Sequence, residues 1–367
     1  MGTCQLKSRW PVAAALFLAL GVCHFARALT DAGPAYKKVV VADGIYQYQL
    51  PDVDDIEVNG NSIAIETDHD ILVFDTNVLP SAAQLVLADL RQGSNKPVRY
   101  VVNSHWHPDH WDGNELYARE FPDLEIIASA TTRRLMENTM HVYIKTLDFE
   151  SRDANKQLER ALKSGKSADG KALGEQDREE IRADLRAERN FLTEYQGLHP
   201  VLPTLTFGDT LTLFHGGREF RLLQLPGHTA GDTVLYLPGE KIVLVGDLLV
   251  YPVPYLASAH PTAWIASLKT LSQLDADTFI PGHGPVLHDR DYLNLVADSL
   301  QSVVDQVHAA LLKGMSLTET QKFVNLDAIK LKFTHDDPQL NAEFDGNFAP
   351  IVRQAYDEAT EELELYQ

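Results

Sequence analysis

Only two cysteines occur in the 367 residues, Cys4 and Cys23, and both lie within the first 28 positions. Beyond residue 28 there is no thiol, which excludes a disulfide framework and any thiolate metal ligand. A metal in the rest of the chain must be held by imidazole and carboxylate. Basic residues are also scarce: 32 Lys and Arg stand against 52 Asp and Glu, for a formal charge of −20. An acidic surface of that size repels phosphate backbones and offers no patch for anionic lipid, so nucleic acid is not expected as a partner. There is no short-period repeat, low-complexity tract or long Pro/Gly linker.

What is present begins with the N-terminus. Lys7 and Arg9 precede the apolar run "PVAAALFLALGV", and Ala26-Arg27-Ala28 gives the small-x-small pattern that signal peptidase reads. The run has 12 residues, too short to span a bilayer comfortably. Residues 1–28 therefore read as a secretory signal cleaved after Ala28. Val22, ahead of Cys23, is bulkier than lipoprotein processing tolerates. Cleavage removes three basic residues and no acidic one, deepening the charge from −20 to −23. The expectation is a periplasmic or secreted protein with a small-molecule substrate and no stable membrane insertion.

Residues 29–367 read as a single domain. Short strands are expected at "KVVVA", "YQYQL", "NSIAIET" and "DILVFDT", separated by Gly, Asp and Asn turns. A helix follows from Ser81, where S-A-A-Q has the form of a capping box. "VRYVVNS" and "LEIIAS" are further strands, with a short helix near "NELYARE" between them and a helix over 130–147 after them. Residues 150–196 carry dense charge of both signs and no strand signal. Leu158 and Leu162, then Ile181, Leu185 and Leu192, fall at helical spacing. This stretch reads as a helical hairpin turning over Lys163–Gly174, a bracing element in preference to a lid. Strands return at "TLTFGDTLTLF", "EFRLLQLP", "TVLYLP" and "KIVLVGD". A helix over 262–274, a strand and loop at "DTFIPGHGP", and helices over 288–313 and most of 340–365 complete the chain. Strand runs and helices recur in similar order in the two halves, which suggests two sheets packed face to face with helices outside.

"NSHWHPDHWDGN", residues 103–114, holds three histidines and two aspartates. Where a strand runs out into a loop, residues i and i+2 point the same way, so His105 and His107 can face one metal. Asp109 and His110 lie half a turn on and face a second position. One loop alone leaves two half-filled sites. The candidates to complete them sit at strand ends: His228 in "LPGHTAGD", Asp247 ending "IVLVGD", and His283 in "IPGHGP". Glycine at these turns lets the backbone bend sharply beside a ligand. Imidazole and carboxylate suit zinc, iron or manganese better than calcium.

The set H-x-H-x-D-H, P-G-H, G-D and P-G-H-G, in this order, resembles the metallo-β-lactamase superfamily. The resemblance implies an αββα sandwich of two mixed β-sheets flanked by helices, here with a helical insertion at 150–196 and C-terminal helices over 288–367. It implies that His105, His107 and His228 hold one metal ion and Asp109, His110 and His283 a second, with Asp247 bridging. Asp75, ending "ILVFD", matches a residue that supports the ligands from behind. Two divalent ions, zinc as the leading choice and iron or manganese as alternatives, follow from the same resemblance.

Two such ions can share a water, lower its pKa to near 7 and polarise a carbonyl. The expected chemistry is hydrolysis by a bridging hydroxide, oriented by Asp109, of a cyclic amide such as a β-lactam, a lactone or a thioester. Asp247 stands where many true metallo-β-lactamases carry cysteine or serine, so the site is more similar to the glyoxalase II and lactonase type. Two other readings stay open: a mononuclear iron oxidoreductase of the sulfur-dioxygenase kind, on His105, His228 and Asp247, and a non-catalytic periplasmic metabolite-binding partner. Tyr251 and Tyr255, in "YPVPYLASAH", either line the pocket and donate to a substrate or pack beside the prolines.

Overall fold

Residues along the central strands alternate between two apolar faces, so each sheet is covered on both sides. The computed structural model describes residues 36–50, 59–167 and 170–365. The expected signal segment, with Cys4 and Cys23, lies outside them. Among the described residues the first sheet has seven strands, ordered as in the chain. They are β1 (Lys37–Ala42), β2 (Ile45–Gln49), β3 (Ser62–Glu66), β4 (Ile71–Phe74), β5 (Val98–Val102), β6 (Glu125–Ser129) and β7 (Leu205–Phe207). Pairing is antiparallel from β1 to β4 and parallel from β4 to β7. Parallel neighbours need crossovers. These are α1 (Pro80–Gly93), α2 (Asn114–Glu120) and the hairpin of α3 (Ala130–Ser164) and α4 (Glu175–Gln196).

The second sheet holds β8 (Thr210–His215), β9 (Arg218–Gln224), β10 (Thr233–Leu237), β11 (Ile242–Val250) and β12 (Thr278–His283). Only β11 and β12 run parallel there, joined through α5 (Pro261–Gln273). After β12 come α6 (Asp291–Leu311), α7 (Leu317–Phe323), α8 (Asp327–Thr334), α9 (Pro338–Glu343), a π-helical turn (Phe344–Phe348) and α10 (Ile351–Leu365).

Ile63, Ile65, Leu72 and Phe74 of the first sheet meet Leu222, Leu235, Leu237 and Leu244 of the second in the layer between the sheets. Ala64, Ile71 and Val73, one position off, point outward onto Ala83, Val86, Leu87 and Leu90 of α1. On the other side Val234, Val243 and Val245 pack on Trp264 and Leu268 of α5 and on Val296 and Leu300 of α6. The fold is the αββα sandwich of two mixed sheets that the sequence led us to expect.

Three local expectations need correction. Ser81 is not a helix cap: α1 starts one residue earlier, at Pro80, whose fixed φ and missing N–H suit the first helical position. The Ser81 amide donates instead to the Glu194 carboxylate of α4 (2.6 Å). "TLTFGDTLTLF" is not one strand, because Gly208-Asp209 divides it between β7 of the first sheet and β8 of the second. Three short helices, α7, α8 and α9, also lie within 317–343, the first started by the Ser316–Glu319 capping box and the last by Asp337, which accepts from the Gln339 and Leu340 amides.

The hairpin turns where expected, α3 stopping at Ser164 before Gly165 in the left-handed region (φ 71°). Its base and its tip differ in physical character. Phe191 and Tyr195 of α4 are buried in the core beneath α1 and α2. Further out, Arg182 and Arg186 pair with Glu179, and Arg189 with Glu159, all exposed. Exposed pairs of this kind contribute about 0–1 kcal/mol each. Phe191→Ala should therefore lower unfolding stability by about 3–5 kcal/mol, whereas Arg186→Ala should change it by less than about 1 kcal/mol. Urea denaturation of both variants checks the contrast.

Candidate metal centre

Seven side chains converge at one end of the two sheets. His105 and His107 follow β5, and Asp109 and His110 lie in a 3-10 turn over Pro108–His110. His228 sits in the β9–β10 connection, Asp247 within β11, and His283 at the end of β12. His107 Nδ1 is 2.9 Å from His105 Nε2 and 2.8 Å from His228 Nε2. Asp247 Oδ2 stands 3.4 Å from His228 Nε2 and 3.9 Å from His105 Nε2. Asp109 Oδ2 is 3.1 Å from both His110 Nε2 and His283 Nε2. The donors thus form two groups, His105, His107, His228 and Asp247 in one, and Asp109, His110 and His283 in the other. Asp247 also borders the second group, with Oδ1 3.3 Å from His110 Nε2 and Oδ2 3.6 Å from His283 Nε2.

The far side of each ring decides which nitrogen is free. His110 Nδ1 lies 2.8 Å from Asp75 Oδ2, a bond in which the imidazole must donate. Ser104 donates to Asp75 from both its amide and its hydroxyl (2.7 Å each), so the same hydroxyl accepts from His105 Nδ1 (2.9 Å). His228 Nδ1 donates to the carbonyl of Tyr255 (3.1 Å). Each of these three rings therefore commits Nδ1 as a donor and turns Nε2 toward the centre, the nitrogen a metal ligand would use. His107 is reversed and presents Nδ1, with Nε2 3.5 Å from the Ser258 hydroxyl.

Burial lowers the pKa of His105 and His228, and burial together with His228 brings His107 to about 3. These imidazoles are neutral. Burial also works against charge on His110 and His283, but the carboxylates Asp109 and Asp247 beside them outweigh it and raise both. Burial would raise Asp109 and Asp247, yet His110 and His283 hold them below the ordinary carboxylate range. Asp75 is raised by burial, against the pull of His110 and Ser104.

Whether a cation fits is tested by what is left unsatisfied. Among the described residues, His110 Nε2 and Asp247 Oδ1 are buried without a hydrogen-bond partner. An orphaned buried polar atom costs about 1–3 kcal/mol, and one divalent cation between these two would satisfy both. Imidazole and carboxylate without thiolate suit zinc, iron or manganese. The residues fit a metal.

Two glycines are required by this crowding. A Cβ on Gly282 would fall 1.9 Å from Asp247 Oδ1, and one on Gly60 would fall 2.7 Å from His110 Cε1. Of the two tyrosines singled out in the sequence, Tyr255 borders the centre, its ring 6.1 Å from those of His107 and His228. Tyr251 packs its ring on Tyr292 (5.2 Å), although it is 45% exposed. Sequence reasoning missed Trp106, whose ring is 4.4 Å from that of His107, along with Ser258 and Asp232. Asp232 accepts from the Thr229 amide and hydroxyl, shaping the His228 turn, and burial pushes it up to about 8. The final Asp of "GHTAGD" was a signal for it. It missed Asn61 too, because an asparagine opening the expected strand "NSIAIET" carries no local signal of its distant partners.

The model of the metallo-β-lactamase superfamily matches residues 55–283, more than half of the chain. The chain belongs to this superfamily. Its relatives include the linear primary-alkylsulfatase of a Pseudomonas species, 27% identical over 306 residues, which are 80% of this chain and 54% of that protein. The hydroxyacylglutathione hydrolase of Cupriavidus metallidurans is 41% identical over 75 residues, 19% of this chain and 28% of its own. This superfamily member thus spans about half the length of the alkylsulfatase. Among solved structures, a variant of the sec-alkyl sulfatase PisA1 superposes with a TM-score of 0.61 at 17% identity, over 88% of this chain and 50% of that one. The metallo-β-lactamase from Pontibacter korlensis gives 0.52 at 19% identity, over 72% of this chain and 99% of the other. At such identities the structures establish the superfamily fold alone.

Gly282→Ala should displace Asp247 and strip the centre of metal while the chain stays folded. Metal content by elemental analysis, with circular dichroism as the fold control, checks this.

Proposed function

We propose that this chain is a dinuclear metal-dependent hydrolase of a small-molecule ester or amide, with zinc as the leading metal. The observation that carries the reading is Asp247, a buried carboxylate facing both donor groups. His105, His107 and His228 would hold one ion and Asp109, His110 and His283 the other, with Asp247 between them. When bound, the ions supply Lewis acidity and bring the pKa of water toward neutrality. The chain's own residues do the rest. Asp75 and the Tyr255 carbonyl fix the imidazole tautomers. Asp109, beside His110 and His283, would accept a hydrogen bond from the attacking water and orient it. Tyr255 and Trp106 border the histidines and form the wall against which a substrate rests.

For the scissile group we retain a cyclic amide of the β-lactam kind, a lactone or a thioester. The likeness to a hydroxyacylglutathione hydrolase supports the thioester among these. A second reading is hydrolysis of a sulfate ester, supported by the likeness to an alkylsulfatase across 80% of this chain. The N-terminal segment supports export, with the mature chain beginning at Leu29.

Purified protein should contain about two metal ions per chain and hydrolyse a member of a panel of β-lactams, lactones, thioesters and alkyl sulfates. His107→Ala and Asp247→Ala should each reduce turnover by more than about 100-fold, beyond the effect of losing an outer partner of a ligand. One iron per chain with oxygen consumption on a persulfide would replace this function with a redox one. Ligand binding without turnover across the panel would leave a binding protein, and a chain that takes up no metal would remove the reading altogether.

A further inference from the structure

His283 differs from the other histidines of the centre in how it is held. Its side chain is 17% exposed, whereas those of His105, His110 and His228 are at most 1% exposed. Those three each donate from Nδ1 to a fixed acceptor. Among the described residues, the ring nitrogens of His283 are engaged through Nε2 alone, with Asp109 and Asp247. The aim of this ring therefore depends on its backbone.

Its own sheet holds that backbone irregularly, with the His283 carbonyl accepting from the Tyr251 amide (3.2 Å). The β11–β12 ladder pairs Leu244 with Ile280, Gly246 with Pro281 and Val250 with His283, with irregularities at both steps. Pro281 has no N–H to give. Further bonds to the carbonyls of this segment come from the opposite sheet. The Asn61 amide donates to the Gly282 carbonyl (2.6 Å), and Asn61 Nδ2 donates to the carbonyls of Pro281 and Gly284 (2.9 Å each). Gln47 and Gln49 of β2 also donate to the Gly284 carbonyl, at 3.0 and 2.9 Å. Asn61 and Gln47 are buried.

We propose that Asn61 is the positioning residue of the second donor group: it fixes residues 281–284 and thereby aims His283 at Asp109. This rests on the two-ion reading above. None of the acceptors that hold His105, His110 or His228 is a group of Asn61. Losing its side chain should therefore weaken the second ion and spare the first, by the 10–100-fold typical of an outer partner of a metal ligand.

The test is a competitive titration of the full chain with cobalt(II) against a chelator, which yields two dissociation constants. His283→Ala identifies which constant belongs to the second group. In Asn61→Ala the second constant should rise by about 10–100-fold, the first should stay within about threefold, and the cobalt absorption of the second ion should change. Asn61→Asp, with the same size but no Nδ2–H, should behave alike, and Gln49→Ala should give a smaller shift in the same direction. If Asn61→Ala does not fold, Asn61→Asp and Gln49→Ala decide the matter. Parallel weakening of both ions, as a general loss of structure would give, overturns the proposal, and so do two unchanged constants. An unsubstituted chain that binds only one ion removes the two-ion reading itself, an outcome distinct from either.

Discussion

The Asp75 carboxylate ties the donor loop to the first sheet, and the rest of the centre takes its geometry from that knot. It accepts from the Ser104 amide and hydroxyl and from His110 Nδ1, three bonds on one buried group. Through the Ser104 hydroxyl it also sets the tautomer of His105. The backbone at Asp75 lies in the left-handed region (φ 61°), unusual for a residue with a side chain. That conformation is tolerated because the local turn and the bonds it makes over-determine it. One carboxylate thus orients ligands of both donor groups.

Around this knot the charges are arranged in opposition. Buried carboxylates are costly unless paired, and buried imidazolium is costly for the same reason. The first group resolves the problem with neutral rings, the second with ion pairs between His110, His283 and the carboxylates of Asp109 and Asp247. Without a cation, the two halves of the centre thus balance their buried charge in different ways.

The main lines of this structure were legible in the sequence because they rest on local patterns. Alternating apolar strands gave the two sheets, and a ligand-type residue after each of several strands gave the cluster. The misreadings have specific physical causes. Glu194 supplies a helix N-terminus more than a hundred positions earlier in the chain, which no local pattern can announce. Gly208-Asp209 redirects the chain between sheets within two residues, too short a break to separate two apolar runs by eye. Asn61 contributes through three hydrogen bonds to a segment that is distant in sequence, and the strand pattern it opens says nothing of that segment.

The donors come from both sheets: His105, His107, Asp109 and His110 follow the first, while His228, Asp247 and His283 belong to the second. A cation held among them would act as a clasp across the interior of the sandwich, so its binding energy would add to cohesion between the halves. For an ion present at 100 times its dissociation constant that gain is about 2.7 kcal/mol. The durability of this protein in its surroundings would then follow the local supply of metal as well as the sequence of its core.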